Sequence, residues 1–403
     1  MTKSTGGLSK TRLGRMHDVM AGYVERGDVP GIVTLVSRRG ETHVDAIGMQ
    51  AVGGSDPMRR DTIFRIASLT KPIAAAAAMI LVEECKLRLD DPVDRLLPEL
   101  ADRRVLRRLD GPLDDTVPAH RPISLRDLLT LRMGLGHIMA PSSDYPIRKA
   151  LNAQQLLLGP PKPQTLPAPD EWIRRVGTLP LMHQPGERWM YDLGLDVLGV
   201  LIARAAGQPL DTFMRERIFA PLGMKDTGFS VPAATIDRFA TSYWTNPETS
   251  ALDVYDEARG GQWSRPPAFP IASGGLVSTV DDYLAFSQML LNKGELSSER
   301  VLSRPSVELM TTDQLTPEQK VGNQIFLGDN SGWGFGMSVV TRRDDLWAVP
   351  GRFGWDGGLG LSGYSDPTEE MVTILMTQRA VDSPSPPALY RDFWTSAYQA
   401  IDD

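Results

Sequence analysis

The sequence predicts an α/β (α+β) fold in which one antiparallel sheet, flanked by helices, is built from both chain ends around a large, mostly helical inserted domain. Three observations predict it. Strand patterns fill residues 31–48, they return after residue 333, and the chain from about 90 to 325 is helical and loop-rich with little alternation. The expected division is 1–90 with 326–403 as the sheet-bearing domain and 91–325 as the insert, with an active site in the cleft between them.

The elements follow in order. Leu13, Met16, Val19, Met20 and Tyr23 recur at helical spacing within residues 10–26. Gly31-Ile-Val-Thr-Leu-Val-Ser37 reads as a strand that turns at Arg38-Arg-Gly-Glu41 into a second strand over Thr42 to Gly48. Phe64-Arg-Ile-Ala-Ser68 leads into a helix from about Leu69 to Glu84, where the run Ala74 to Ala78 favours helix and close packing. Pro72 fits because it falls in the first turn, whose donors lack partners anyway. Ser124 marks a capped helix start, and Gly159 to Pro169 is too proline-dense to be anything but loop. Leu195 to Ala206 reads as an amphipathic helix stopped by Gly207. Strands are expected at Trp333–Val340, Leu346–Val349, Leu361–Tyr364 and Met371–Met376, with a turn at Asp366-Pro-Thr-Glu-Glu370. A closing helix runs from Ala388 to Ile401.

Composition narrows the function. The 403 residues are 41% hydrophobic and 23% charged, with net charge −7, enough for a large core and unsuited to a nucleic-acid partner. The basic run Arg103 to Arg108 leads into Asp110, Asp114 and Asp115 and reads as a solvated face of mixed charge. Cys85 is the one cysteine, which excludes an intrachain disulfide; its apolar helical neighbours give it a packing role. No apolar stretch reaches membrane-spanning length and Met1-Thr-Lys-Ser-Thr-Gly-Gly7 lacks a signal-peptide core, so a cytoplasmic location is expected. The five histidines show no paired ligand spacing; no metal and no cofactor is expected. His183, eight residues before Tyr191, is within reach of a cleft but carries no assignment.

Ser68-Leu-Thr-Lys71 places a hydroxyl and an amine three residues apart on one helix face. At a helix start, the serine also sits where backbone N–H groups and the positive end of the dipole meet an anion. Alone, the motif is weak, because a helix-start serine is as readily a cap.

The context makes the motif specific. The chain resembles the serine β-lactamase/penicillin-binding-protein superfamily, and within it the class C-like esterases known as family VIII carboxylesterases. The resemblance runs through Phe64-Arg-Ile-Ala-Ser-Leu-Thr-Lys71, Ile123-Ser-Leu-Arg-Asp-Leu-Leu-Thr130 with Gly134-Leu135, and Gln184-Pro-Gly-Glu-Arg-Trp-Met-Tyr191. It continues through Pro221-Leu-Gly-Met-Lys-Asp-Thr227, Ser273-Gly-Gly-Leu-Val-Ser-Thr279 and Gly354-Trp-Asp-Gly-Gly-Leu-Gly360. It implies a β-lactamase/transpeptidase-like fold with Ser68 as the acylated serine, Lys71 as the motif lysine and Tyr191 as the tyrosine of Tyr-x-Asn. Trp355-Asp356-Gly357 falls at the place of Lys-Thr-Gly and is expected to contact substrate. Leu193 replaces the asparagine of the second motif, and no Lys-Thr-Gly occurs. These losses, with Asp356 beside them, favour neutral esters over β-lactams.

The implied chemistry is acyl transfer through Ser68, with Tyr191 and Lys71 as general base and the backbone N–H groups of Ser68 and Gly358 as oxyanion hole; one such donor is worth roughly 3–4 kcal/mol. About one free phenol in a thousand is ionised at neutral pH. A cation about 4 Å away contributes about 4 kcal/mol at an effective dielectric of about 20, enough to bring phenolate within reach. Alternatively Lys71, desolvated against Ala74 and Ala75, takes the proton itself; the sequence leaves both open. The expected partner is a small-molecule ester, and oligomeric state is open. The rival readings are an acyltransferase of the same fold, a β-lactam or D-amino-acid peptide hydrolase, and a non-catalytic binding module. Substrate choice is expected to lie in loops 136–170 and 240–270. Tyr243, Trp244 and Trp263 in the latter are either pocket walls or core.

Overall fold

Eight consecutive buried residues, Gly31–Arg38, form β1, the strand next to one edge of a seven-stranded antiparallel sheet. A computed structural model describes residues 6–138, 145–156 and 159–403. The sheet comprises β1, β2 (Glu41–Gly48), β3 (Ser331–Trp333), β4 (Ser338–Val340), β5 (Phe353–Gly357), β6 (Leu361–Asp366) and β7 (Met371–Thr377), in spatial order β3-β4-β5-β6-β7-β1-β2. The N-terminal hairpin therefore docks on the last strand of the chain, with Ile32 opposite Thr377. Arg39 and Gly40, at φ +47° and +81°, make the two-residue turn whose twist matches paired strands.

β1 is an unbroken apolar run because both of its faces are covered. On the outer face, Ile32 and Val36 pack with α1 (Lys10–Glu25) and α5 (Ala388–Gln399). On the inner face, Val33 and Leu35 join the main core with α2 (Thr70–Glu83), α3 (Leu193–Ala206) and α4 (Val280–Leu291). Helices of the long middle segment complete that side, capped as at Ser124, whose side chain and Asp127 satisfy each other's backbone N–H.

α2 is buried continuously from Thr70 to Leu81. Its alanines let the β3–β4 turn press against it: a Cβ on Gly336 would lie 2.6 Å from the Lys71 carbonyl oxygen and 2.9 Å from Ala75 Cβ.

Several expectations are corrected. The 333–340 pattern is two strands separated by a turn, and Leu346–Val349 is irregular chain with Leu346 exposed. α3 is buried on all sides from Leu193 to Ile202, so it is a central helix rather than an amphipathic one, though Gly207 ends it at φ +69° as expected. Cys85 lies past the end of α2 at φ +58° and is exposed, so it is not part of the core. Arg103 is buried and donates to the carbonyls of Val176, Gly177 and Leu179, the open end of a helix, while Arg107 and Arg108 do form the expected surface ion pairs. Short hairpins such as 242–256 interrupt the helical stretch.

Candidate active site

The strand entering the nucleophile motif is fixed by backbone. Phe64 and Arg65 pair with Ser278 and Val277, and Ile66 donates to the Leu276 carbonyl. Ala67 then takes φ +44°, and a single 3-10 turn, Ala67–Leu69, carries Ser68 to the start of α2. The Ser273-Gly-Gly segment thereby lies alongside Ser68-x-x-Lys71.

The structure brings Ser68, Lys71 and Tyr191 together. The hydroxyl of Tyr191 lies 2.8 Å from Ser68 Oγ, and Lys71 Nζ lies 3.1 Å from the same atom. Lys71, fully buried, also donates to Asp192 Oδ1 at 2.9 Å and to the Ser273 carbonyl at 2.7 Å, so each of its three protons has an acceptor. Its ammonium sits 4.5 Å from the centre of the Tyr191 ring.

Asp192 was not anticipated. It is the middle residue of the second motif, and its backbone adopts φ +90°, ψ −77°, a conformation that costs on the order of 1–3 kcal/mol outside glycine. The twist aims its carboxylate at Lys71, while Leu193, expected to take the asparagine's place at the cleft, is buried in the core at the start of α3. Burial opposes charge on Lys71, but Asp192, with Tyr191 and Asp196, more than offsets it and raises the lysine pKa. Burial likewise works against the Asp192 carboxylate, and Lys71 and His137 outweigh it, holding Asp192 below the ordinary carboxylate range. The excess acid is Asp196, one turn along α3: burial, then the charge on Asp192, push its pKa up, while the backbone N–H of Ser273 donates to it at 2.8 Å. Three acceptors around Nζ suit a charged ammonium rather than a free amine.

Trp355 lies on the inner face of β5, and its indole N–H donates to the Tyr191 oxygen at 2.7 Å. Tyr191 is further held by Phe326, stacked at 4.6 Å, and by Trp189 at 5.6 Å. Trp355→Phe keeps the packing and loses that donor, worth about 1.5–3 kcal/mol if the oxygen carries charge. Ester turnover should fall on the order of 10–100-fold with little change in melting temperature.

Asp356 points to the other face of the strand, where Tyr364 donates to it at 3.2 Å and burial pushes its pKa up to about 6. Asp356 still borders the cavity, beside Trp355 and Gly357. Gly357 abuts the nucleophile turn: a Cβ there would lie 2.7 Å from the Ile66 carbonyl. Gly357→Ala must displace that turn, so kcat/KM should drop at least about tenfold while circular dichroism stays unchanged. Gly358, next in the chain, is exposed, and a Cβ there would meet nothing within 4 Å.

Ser68 opens into a cavity of about 570 Å³. Its walls include Pro161, Trp172 and Ile271 on one side and Phe326, Trp355 and Pro384 on another. Residues 139–144 and 157–158 of the anticipated 136–170 loop lie outside the described residues. None of Tyr243, Trp244 and Trp263 lines the cavity; Trp263 is core, donating to the Gly275 carbonyl, and Trp244 is on the surface. Segments 324–331 and 381–387 take that place. His183 is not at the cavity, whereas His137 is.

Comparison with known proteins settles the family. A family model described as Beta-lactamase matches residues 16–392. The chain belongs to the beta-lactamase family. It is 41% identical over 372 residues to the protein Rv1367c of Mycobacterium tuberculosis, covering 89% of this chain and 88% of that one. It is 31% identical over 381 residues to the esterase EstB of Burkholderia gladioli, again covering 89% and 88%. The fold matches the solved structure titled EstCE1, a hydrolase with promiscuous acyltransferase activity, at TM-score 0.77 and 24% identity over 96% of this chain and 99% of that one. This beta-lactamase family member carries Trp355, with its indole on Tyr191, at the place where the sequence pattern led one to look for a lysine. Asp192 supplies Lys71 with a carboxylate that the Tyr-x-Asn pattern does not announce.

Proposed function

We propose that this protein is a serine esterase that hydrolyses small, neutral carboxylic esters through an acyl-enzyme on Ser68. One observation carries the reading: Ser68 Oγ is held between Tyr191 and Lys71, at 2.8 and 3.1 Å, on the floor of a largely apolar cavity. Oγ attacks the ester carbonyl as its proton passes to Tyr191, which Lys71, kept charged by Asp192, and the Trp355 N–H prepare to carry negative charge. Tyr191 then protonates the departing alcohol. The oxyanion is held by the backbone N–H groups of Ser68 and Gly358, at the junction where Gly357 meets the nucleophile turn. The 31% identity to a protein named as an esterase supports the substrate class. Trp355 offers no cation for a β-lactam carboxylate, so nitrocefin should turn over far more slowly than esters. A panel of p-nitrophenyl esters tests the reading: short-chain esters should give Ser68-dependent release of nitrophenol, and no release from any of them overturns it.

The second reading is an acyltransferase, favoured by a cavity with room for an acceptor beside an acylated serine. It differs only in what attacks the acyl-enzyme. Product analysis with added alcohols separates the two, since free acid marks the esterase and a new ester the transferase.

A further inference from the structure

His137 enters the cavity on a fixed piece of backbone. Its N–H donates to the Tyr191 carbonyl at 3.0 Å, and a Cβ on the preceding Gly136 would lie 2.7 Å from that same oxygen, so the two strands of chain run in contact. The imidazole lines the cavity, keeps 24% of its surface exposed, and stands 6.2 Å from the Tyr191 ring. Its Nε2 faces Asp192 Oδ2 at 3.7 Å, while the other oxygen, Oδ1, binds Lys71. One carboxylate thus lies between the lysine of the nucleophile motif and a histidine that lines the cavity. Such contacts are commonly long before substrate closes the site.

From this bridge we propose, resting on the esterase reading above, that His137 is a second general base, oriented by Asp192 and used in releasing the acyl group. A hydrogen on Nε2 directed at Asp192 leaves Nδ1 with its lone pair, available to accept a proton. Lys71 has all three protons committed and no lone pair to offer. Tyr191 is tied to Oγ and to the Trp355 indole.

The step balances. The incoming water loses a proton to His137 Nδ1 as its oxygen bonds to the acyl carbon. The bond from that carbon to Ser68 Oγ breaks, and Oγ takes a proton from the Lys71 ammonium. The Nε2 proton of the imidazolium passes to Lys71 through the Asp192 carboxylate between them, and the partly exposed imidazole then gives its Nδ1 proton to solvent and takes one back at Nε2, which restores the starting tautomer. Acid and free serine result, with no net gain or loss of protons. An alcohol in place of water gives the transfer product by the same path, so the dyad serves either acceptor.

The test separates the two half-reactions with p-nitrophenyl butyrate. With enzyme in excess, nitrophenol release in a single turnover reads acylation; with substrate in excess, the steady state reads the slower half. His137→Gln should leave single-turnover release within about threefold of wild type. Its steady-state rate should fall on the order of 10²–10⁴-fold, the usual worth of a general base. The butyryl-enzyme should accumulate in the intact mass. Hydroxylamine, a nucleophile that needs no base at neutral pH, should restore much of the variant's turnover. Should the glutamine variant fail to fold, His137→Asn carries the same measurements. Equal slowing of both phases, no slowing of either, or no accumulated adduct overturns the inference. Nitrophenol release that persists in Ser68→Ala removes the esterase reading itself and the inference with it, whereas Ser68-dependent release without the predicted split removes the inference alone.

Discussion

Ser68→Ala should lower ester turnover by about 10⁴-fold or more, the range seen when a nucleophile acting with its base is deleted. The hydroxyl is the atom on which Tyr191 and Lys71 converge, at 2.8 and 3.1 Å. The fold should be indifferent. Lys71 keeps Asp192 and the Ser273 carbonyl, and the turn before α2 is held by backbone pairing to residues 276–278. Melting temperature should stay within about 3 °C of wild type. A variant that loses activity by unfolding would leave the nucleophile assignment unsupported, and one that keeps activity would refute it.

The second large effect is at Asp192. Asp192→Ala leaves a fully buried ammonium without its carboxylate, which costs about 3–5 kcal/mol when one partner of a buried pair is removed. Both stability and turnover should collapse. Asp192→Asn keeps the shape and an acceptor, so it should fold better while still losing most activity, because Lys71 is no longer held charged beside Tyr191. The pH dependence has a definite sign. The Asp192 pKa is lowered in the folded state, so its contribution is complete above the ordinary carboxylate range and is lost as pH falls through the folded value. The Lys71 pKa is raised, so its contribution is complete below the ordinary lysine range and is lost as pH rises through the folded value. Urea unfolding should therefore show a plateau between about pH 5 and pH 10 for this pair. Asp192→Asn should remove the pair's share of the acid-side decline.

Much of this was legible in the sequence, for identifiable reasons. The hairpin 31–48 and the C-terminal strands carry period-two or continuous apolar patterns bounded by turns, and the sheet order follows from pairing the two ends. Ser68, Lys71 and Tyr191 were readable because each sits in a motif of fixed spacing, and the fold brings them within hydrogen-bond reach. Asp192 was hidden because its role depends on a positive φ that turns the side chain inward, and a Tyr-Asp-Leu triplet does not declare that twist. A signal was present nonetheless: an acid at 192, four residues before Asp196, precedes a helix whose first ten residues are otherwise apolar. His137 stood beside the quoted Gly134-Leu135 and was passed over because its partner lies 55 positions away. Asp356 borders the cavity as expected, but strand alternation turns its carboxylate to Tyr364, away from the face that carries the Trp355 indole. The walls at 324–331 and 381–387 come from chain distant in sequence from every motif, so no local pattern assigned them to the cavity.

The central claim is that one hydroxyl, that of Ser68, becomes esterified during turnover. The direct measurement is to quench the enzyme with a slowly turning-over ester, digest it and locate the adduct by tandem mass spectrometry. The acyl group should be found on Ser68, in near-stoichiometric yield, and be missing from Ser68→Ala. An adduct mapped to another residue, or full turnover with Ser68 unmodified at every time point, would contradict it.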